Sequence, residues 1–282
     1  MTEIKFTKMQ GLGNDFVILD YEEYKKAGKE PEELAKKLCD RHFGIGADGL
    51  IIVNTVSDLI ADIGWIFYNS DGSIAQMCGN GIRCFAKYVY NKGYVDKKKF
   101  SVETKAGIII PEILDNGLVR VDMGKPILES RKIPVNAENN LDIEIEVQNR
   151  TFSVNAISMG NPHCVIITEG NTKELALRYG RDIEVNEFFP EKTNVEFIKI
   201  ISRKEINLDV WERGCGITLA CGTGACASVV AGILKGLLDS EVKVNLPGGT
   251  LLIEWQGNKT DPNHSVFMSG RAEWVFEGSM NI

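Results

Sequence analysis

Apolar and β-branched residues alternate or cluster over "SVETKAGIIIPEI", "GLVRVDMG", "DIEIEVQNRTFSVNAIS" and "CVIIT", and Gly, Asn and Asp punctuate the gaps. That pattern predicts strands. Apolar residues at helical spacing instead mark "PEELAKKLCDR", "NGIRCFAKYVYNKG", "NTKELALRYGRDIEV" and "TGACASVVAGILKG", which predicts helices. The chain therefore reads as strand-rich α+β with few long helices. No low-complexity linker divides it.

Two of the predicted helices overlay. Cys78, Gly79, Gly81, Lys92 and Gly93 match Cys221, Gly222, Gly224, Lys235 and Gly236 at one offset of 143 (221 minus 78). In each copy a Cys-Gly-X-Gly turn opens the helix and Lys-Gly closes it, as suits a cation in the last turn and a glycine at the C-terminal cap. Gly13-Asn14 and Gly160-Asn161 form a weaker echo. Similarity near half the chain length is the mark of duplicated domains, so two homologous lobes are expected.

Composition narrows the function. The 282 residues are 44% hydrophobic and 25% charged, enough for a sizeable core, and 32 basic against 39 acidic residues give a formal charge of -7. This balance favours solubility and argues against a nucleic-acid partner, leaving small-molecule chemistry. The N-terminal "MTEIKFTKMQGLGNDF" has no signal-peptide layout and no stretch approaches a membrane span, so a cytoplasmic protein is expected. Seven cysteines, an odd number without secretory features, read as reduced thiols. With no Cys-X-X-Cys pair and only His42, His163 and His264 as histidines, no metal site is expected. The Gly-rich "GLGNDF" and "GNGIRC" lack the spacing of a nucleotide-binding loop.

Free cysteine is usually a small core residue, and Cys39, Cys84, Cys164, Cys215 and Cys226 are read as packing. Cys78 and Cys221 differ because each precedes a helix start beside glycines. Unpaired amides and the helix dipole there stabilise a thiolate, which is expected to lower the thiol pKa toward working pH. The same amides suit a carboxylate. Two such thiols can invert a carbon next to a carboxylate, one removing a proton from one face while the other delivers a proton to the opposite face.

The segments "MQGLGNDFVILD", "RHFGIGADGL", "FYNSDGSIAQMCGNGIRCFAKY", "ETKAG", "SMGNPHCV", "TNVEF" and "WERGCGITLACGTGACAS" resemble, in order, the successive signatures of the diaminopimelate epimerases. The resemblance implies two pseudo-symmetric lobes, each a mixed, mainly antiparallel, barrel-like sheet around a central helix. Their expected limits are 1–121 with 268–282, and 122–267. It implies interconversion of LL- and meso-diaminopimelate in lysine and peptidoglycan-precursor biosynthesis, without metal or pyridoxal phosphate, in a homodimer. By motif position Cys78 is the proton donor and Cys221 the acceptor, with His163 and Glu212 tuning the thiols. Asn14, Asn69, Gly79, Asn80, Asn161, Asn194, Glu212, Arg213, Gly222 and Thr223 would bind substrate. Gly49 stands where some members have Gln, and Ile217 where Glu is common. The rival readings are a proline or hydroxyproline racemase of the same superfamily and, in a different class, a thiol redox or metal-binding protein.

Overall fold

The computed structural model describes residues 2–55, 60–75 and 77–282; Gln76, inside one of the quoted signatures, lies outside them. In chain order the elements are β1 (Glu3–Gly11), β2 (Asn14–Leu19), α1 (Tyr21–Ala27), α2 (Pro31–Cys39), β3 (Gly49–Asn54), β4 (Ile63–Asn69), α3 (Gly79–Asn91), β5 (Val102–Thr104), β6 (Gly107–Ile109), β7 (Pro111–Ile113) and β8 (Val119–Asp122). They continue with β9 (Ile143–Val147), β10 (Arg150–Ser158), β11 (Pro162–Ile167), α4 (Thr172–Glu184), β12 (Asn194–Ser202), β13 (Glu205–Glu212), β14 (Gly216–Ile217) and α5 (Gly222–Leu234), then β15 (Glu241–Leu246), β16 (Gly249–Trp255), β17 (Val266–Gly270) and β18 (Glu273–Asn281). The chain forms two compact units, Met1–Val121 with Gly270–Ile282, and Asp122–Ser269. Each holds a mixed sheet and one long buried helix, an α+β architecture.

In the first unit the seven-stranded sheet runs β18-β1-β2-β3-β4-β5-β6. It is antiparallel except for the β2–β3 and β4–β5 pairs. Leu12 and Gly13, with φ of 57° and 85°, make the two-residue turn between β1 and β2, whose left-handed residues match strand twist. Alternation divides the side chains between two faces. Val17, Leu19, Leu50, Ile52 and Tyr68 pack with Leu34 and Leu38 of α2. The intervening Phe16, Trp65 and Phe67 meet in ring contacts that extend to Phe85 of α3. Helices therefore cover both faces, and "LIIV" of β3 is a continuous buried run as such a strand requires.

In the second unit the order is β17-β16-β15-β13-β12-β11-β10-β9, with β14 beside β13; β11–β12 and β13–β15 are parallel. Gln148 and Asn149, with φ of 51° and 59°, turn β9 into β10. Val195 and Phe197 of β12 pack in the cluster that includes Leu175, Tyr179 and Ile183 of α4. Glu196 between them faces α5 at Gly224. Asn171 caps α4 by accepting from the Glu174 amide at 3.2 Å.

The four predicted helices form where the pattern places them. The run "SVETKAGIIIPEI" breaks into β5, β6 and β7. Cys39, Cys84, Cys164 and Cys226 are buried, but Cys215 is exposed, against the expectation of packing. It sits in the tight turn between β13 and β14, where its amide bonds to the Glu212 carbonyl at 3.0 Å. Gly49 has a steric reason: a Cβ there would lie 2.5 Å from the Phe67 ring and 2.9 Å from the Tyr68 carbonyl oxygen. A Gln at that place has no room. Among the described residues, no helix is long and apolar enough to cross a membrane.

Candidate active site

The sequence echo is structural at both helix starts. Cys78 and Cys221 are the N-caps of α3 and α5, in extended backbone, and each Sγ accepts the amide of the glycine three residues on, Gly81 or Gly224, at 3.4 Å. Both helices run 13 residues. Lys92 and Lys235 are the C-caps, followed by Gly93 and Gly236 with φ of 76° and 73°, a left-handed close that glycine adopts without strain. A thiol thus does the capping that usually falls to a hydroxyl or carboxylate. The amides of Gly79 and Asn80, and of Gly222 and Thr223, occupy the first-turn positions that a helix leaves without an intrahelical acceptor.

In the first unit, the Cys78 thiol donates to Asn14 Oδ1 at 3.5 Å, and Asn80 Nδ2 donates to the same oxygen at 3.4 Å. Asn14 Nδ2 donates to Asp48 Oδ2 at 2.6 Å. Asp48 also accepts the Asp15 amide at 3.0 Å and Arg41 Nη2 at 2.8 Å. Asp15 pairs with Lys8 at 2.7 Å and with Arg41 at 2.8 Å. Burial works to raise the Asp15 carboxyl, but Arg41 and Lys8 together hold it below the usual range. Asn69, exposed at the end of β4, donates to Ser73 Oγ at 2.9 Å. It lies near Asp48, whose carbonyl accepts the Ser70 amide at 3.0 Å.

In the second unit, Cys221 Sγ lies 3.6 Å from Thr223 Oγ1. Asn161 Nδ2 donates to Thr223 Oγ1 at 3.4 Å. His163, fully buried, has Nε2 3.0 Å from Asn161 Oδ1 and Nδ1 2.7 Å from Glu196 Oε1. Glu212 accepts from Thr218 Oγ1, and its negative charge acts on the Cys221 thiol. Asn194 is held on both sides, donating to the Pro162 carbonyl at 2.9 Å and accepting the Arg213 amide at 3.0 Å. The Arg213 guanidinium is exposed and donates to the Glu191 carbonyl at 3.1 Å.

The electrostatics correct one expectation. Burial, with the negative charges of Glu212 and Glu196 behind it, pushes the Cys221 thiol well above its ordinary value. Thr223 and the Gly224 amide pull the other way and do not prevail. The helix start alone does not make this cysteine a thiolate, because loss of water costs the anion more than one amide and one hydroxyl return. Burial also raises Glu212, so its carboxylate binds a proton more readily than an exposed one.

Three site residues escaped the sequence reading although each lies inside a quoted signature. Arg83, fully buried, donates to Gly79 O at 3.0 Å, Asn80 Oδ1 at 2.9 Å and Arg271 O at 3.2 Å, tying down the first turn of α3. Glu196 is fully buried behind His163, and Asp48 holds Asn14. The available signal was a charge inside an apolar or Gly-rich stretch: Arg83 in "GNGIRC", Glu196 in "TNVEF" and Asp48 in "GIGADGL".

A family model described as diaminopimelate epimerase matches residues 6–129 and 155–275. The chain is similar to a diaminopimelate epimerase of Halothermothrix orenii, at 49% identity over 288 residues and 99% of each chain. Its fold is similar to a Bacillus anthracis phenazine biosynthesis protein of the PhzF family, with TM-score 0.71, 17% identity and 100% of both chains covered. It is also similar to a hydroxyproline epimerase from Agrobacterium vitis, with TM-score 0.68, 13% identity and coverage of 99% of this chain and 94% of that one. At those identities the two solved structures speak for the fold alone.

Proposed function

The chain belongs to the diaminopimelate epimerase family, and on that premise we propose that Cys78 and Cys221 are the acid and base that invert the α-carbon of its substrate. The enzyme is an isomerase of lysine biosynthesis that interconverts LL- and meso-diaminopimelate. The observation that carries the two-thiol reading is the shared helix-start geometry, with each Sγ held at 3.4 Å by a first-turn amide.

Inversion needs a base at one face of the α-carbon and an acid at the other. In the direction taken as forward, Cys221 accepts the substrate proton as thiolate and Cys78 delivers its own proton from the opposite face; the reverse reaction exchanges the roles. Glu212, whose proton affinity burial raises and whose charge acts on Cys221, takes the Cys221 proton to generate the thiolate. Charge building on the carboxylate as the α-proton leaves is met by the amides of Gly79, Asn80, Gly222 and Thr223 at the positive ends of two helices. Asn14, Asn69, Asn161, Asn194, Glu212 and Arg213 hold the remaining polar groups of a long zwitterionic substrate. His163, backed by Glu196, steadies Asn161 and thereby Thr223 at Cys221. The same reading has the enzyme working without metal or pyridoxal phosphate, in the cytoplasm, as a homodimer.

Turnover in deuterium oxide tests the scheme. Two separate bases place solvent deuterium in the product while unreacted substrate stays unlabelled at early times. Label appearing equally fast in recovered substrate would overturn the two-base reading, and turnover of proline in place of diaminopimelate would overturn the substrate.

A further inference from the structure

Asp48 carries a consequence for Cys78. The carboxylate of Asp48 can only accept hydrogen bonds, and the Asp15 amide and Arg41 already donate to it. The Asn14 atom that approaches it at 2.6 Å must therefore be the NH2 group. This settles the Asn14 amide, whose two ends are otherwise hard to tell apart, and turns its carbonyl oxygen to Cys78 Sγ and Asn80 Nδ2. A carbonyl oxygen facing sulfur accepts from S–H and offers nothing to a thiolate, so this contact favours the thiol.

We propose that Asp48 is a positioning residue for the reaction: by accepting the Asn14 side-chain amide it aims the Asn14 carbonyl at Cys78 and keeps the transferable proton on that sulfur. The proposal rests on Cys78 being one of the two reacting thiols, and it supplies a physical reason for Cys78 to be the acid of the resting enzyme. Asn161 is held differently: its carbonyl faces a ring nitrogen of His163 and its amide faces Thr223. Among the described residues, the other charged or titratable groups of this cluster are Arg83 and Cys84 on α3, Lys8 on β1, Asp15 on β2, Cys39 at the end of α2 and Arg41 after it.

The test is the pH dependence of Cys78 alkylation by iodoacetamide in the full-length protein, followed at the Cys78 peptide by mass spectrometry, because only the thiolate reacts. Asp48→Ala frees Asn14 to rotate and should move the midpoint down by roughly half a pH unit or more. It should also lower kcat about tenfold while KM changes less. Asp48→Asn removes the same negative charge but keeps an acceptor oxygen, and should bring the midpoint and kcat most of the way back. In an Asn14→Ala background, Asp48→Ala should have no further effect on the midpoint.

An unmoved midpoint in Asp48→Ala overturns the proposal. Equal shifts in Asp48→Ala and Asp48→Asn overturn it too, since charge alone would then suffice, as does a full additive shift in the Asn14→Ala background. Should Asp48→Ala not fold, a wild-type midpoint in Asp48→Asn set against a lowered one in Asn14→Ala supports the proposal, and any other order overturns it. Retained activity in Cys78→Ala would instead remove the reading of Cys78 on which it rests.

Discussion

The starts of α3 and α5 share a backbone device and differ in almost everything around it. Both present a cysteine N-cap, a glycine amide at 3.4 Å from sulfur and a Lys-Gly close. Cys78 is half-buried and faces a neutral amide carbonyl. Cys221 is buried against a threonine hydroxyl, with Glu212 and Glu196 close enough to disfavour its ionisation. At the matched places 83 and 226 (226 minus 83 is again 143), α3 has a buried arginine and α5 a buried cysteine. Duplicated local geometry therefore does not duplicate chemistry, because the strands behind each helix deliver different groups to the sulfur.

The comparison is broken most severely by removing a thiol. Cys78→Ala and Cys221→Ala are each expected to lower kcat by about a thousandfold or more with native circular dichroism, and substantial activity in either would dissolve the pairing. Glu212→Gln comes next, with kcat falling about tenfold to a hundredfold. Removing that charge relieves part of the upward push on Cys221, so its alkylation at neutral pH should quicken while that of Cys78 stays as it was. Peptide mapping reads both sites at once.

The glycines three residues into the motifs sharpen the contrast in packing. A Cβ at Gly224 would lie 2.6 Å from Glu196 Oε1 and 3.2 Å from Cys221 Sγ, whereas at Gly81 the nearest atom is Trp65 Cζ3 at 3.3 Å. Glu196 is fully buried and has nowhere to retreat. Gly224→Ala should destabilise by about 2 kcal/mol. Gly81→Ala should stay within about 1 kcal/mol of wild type, since helix propensity offsets part of its tighter fit. Denaturant midpoints measure both.

The smallest effect per group concerns what the two regions share, thiols kept neutral by burial. Cys39 and Cys84 are pushed up to about 12, and Cys164 and Cys221 well above their ordinary value of 9.0. A raised folded-state value leaves their contribution intact below the unfolded value near 9. It is lost as pH climbs from there toward the folded value, because the unfolded chain releases protons that the folded chain retains. Stability should fall above pH 9 by about 1.4 kcal/mol per pH unit for each thiol. Cys84→Ala should flatten the slope by one such share, and a slope unchanged by that replacement would count against burial as the cause.

Legibility followed the range of the interactions. Helices α2, α3, α4 and α5 were readable because their apolar spacing and end residues are local. The seven-residue α1 has no side-chain cap and packs only Tyr21, Tyr24 and Ala27 on the core, too short a periodic face to stand out in the sequence. The parallel pairs β2–β3, β4–β5, β11–β12 and β13–β15 had no local signature. Cys78 and Cys221 stand out as candidates by their repeated setting, and the Asn set, His163, Glu212 and Arg213 only through their motifs. For Asp48, Arg83 and Glu196 a charge in an apolar or Gly-rich stretch hints at burial, but a partner of each comes from distant chain and is not written locally.

The sequence by itself determined the two capped helices, their spacing of 143, which two cysteines open them and the family to which the chain belongs. Capping and helical periodicity act over a few residues, and motif order is written along the chain. Only the tertiary structure decided what each sulfur faces. Asp48 reaches Asn14 across 34 positions, and Glu196 reaches His163 across 33, both by pairing of neighbouring strands. Burial and those partners set the direction in which Cys221 shifts and the way the Asn14 amide points, and neither is a property of any short stretch of residues.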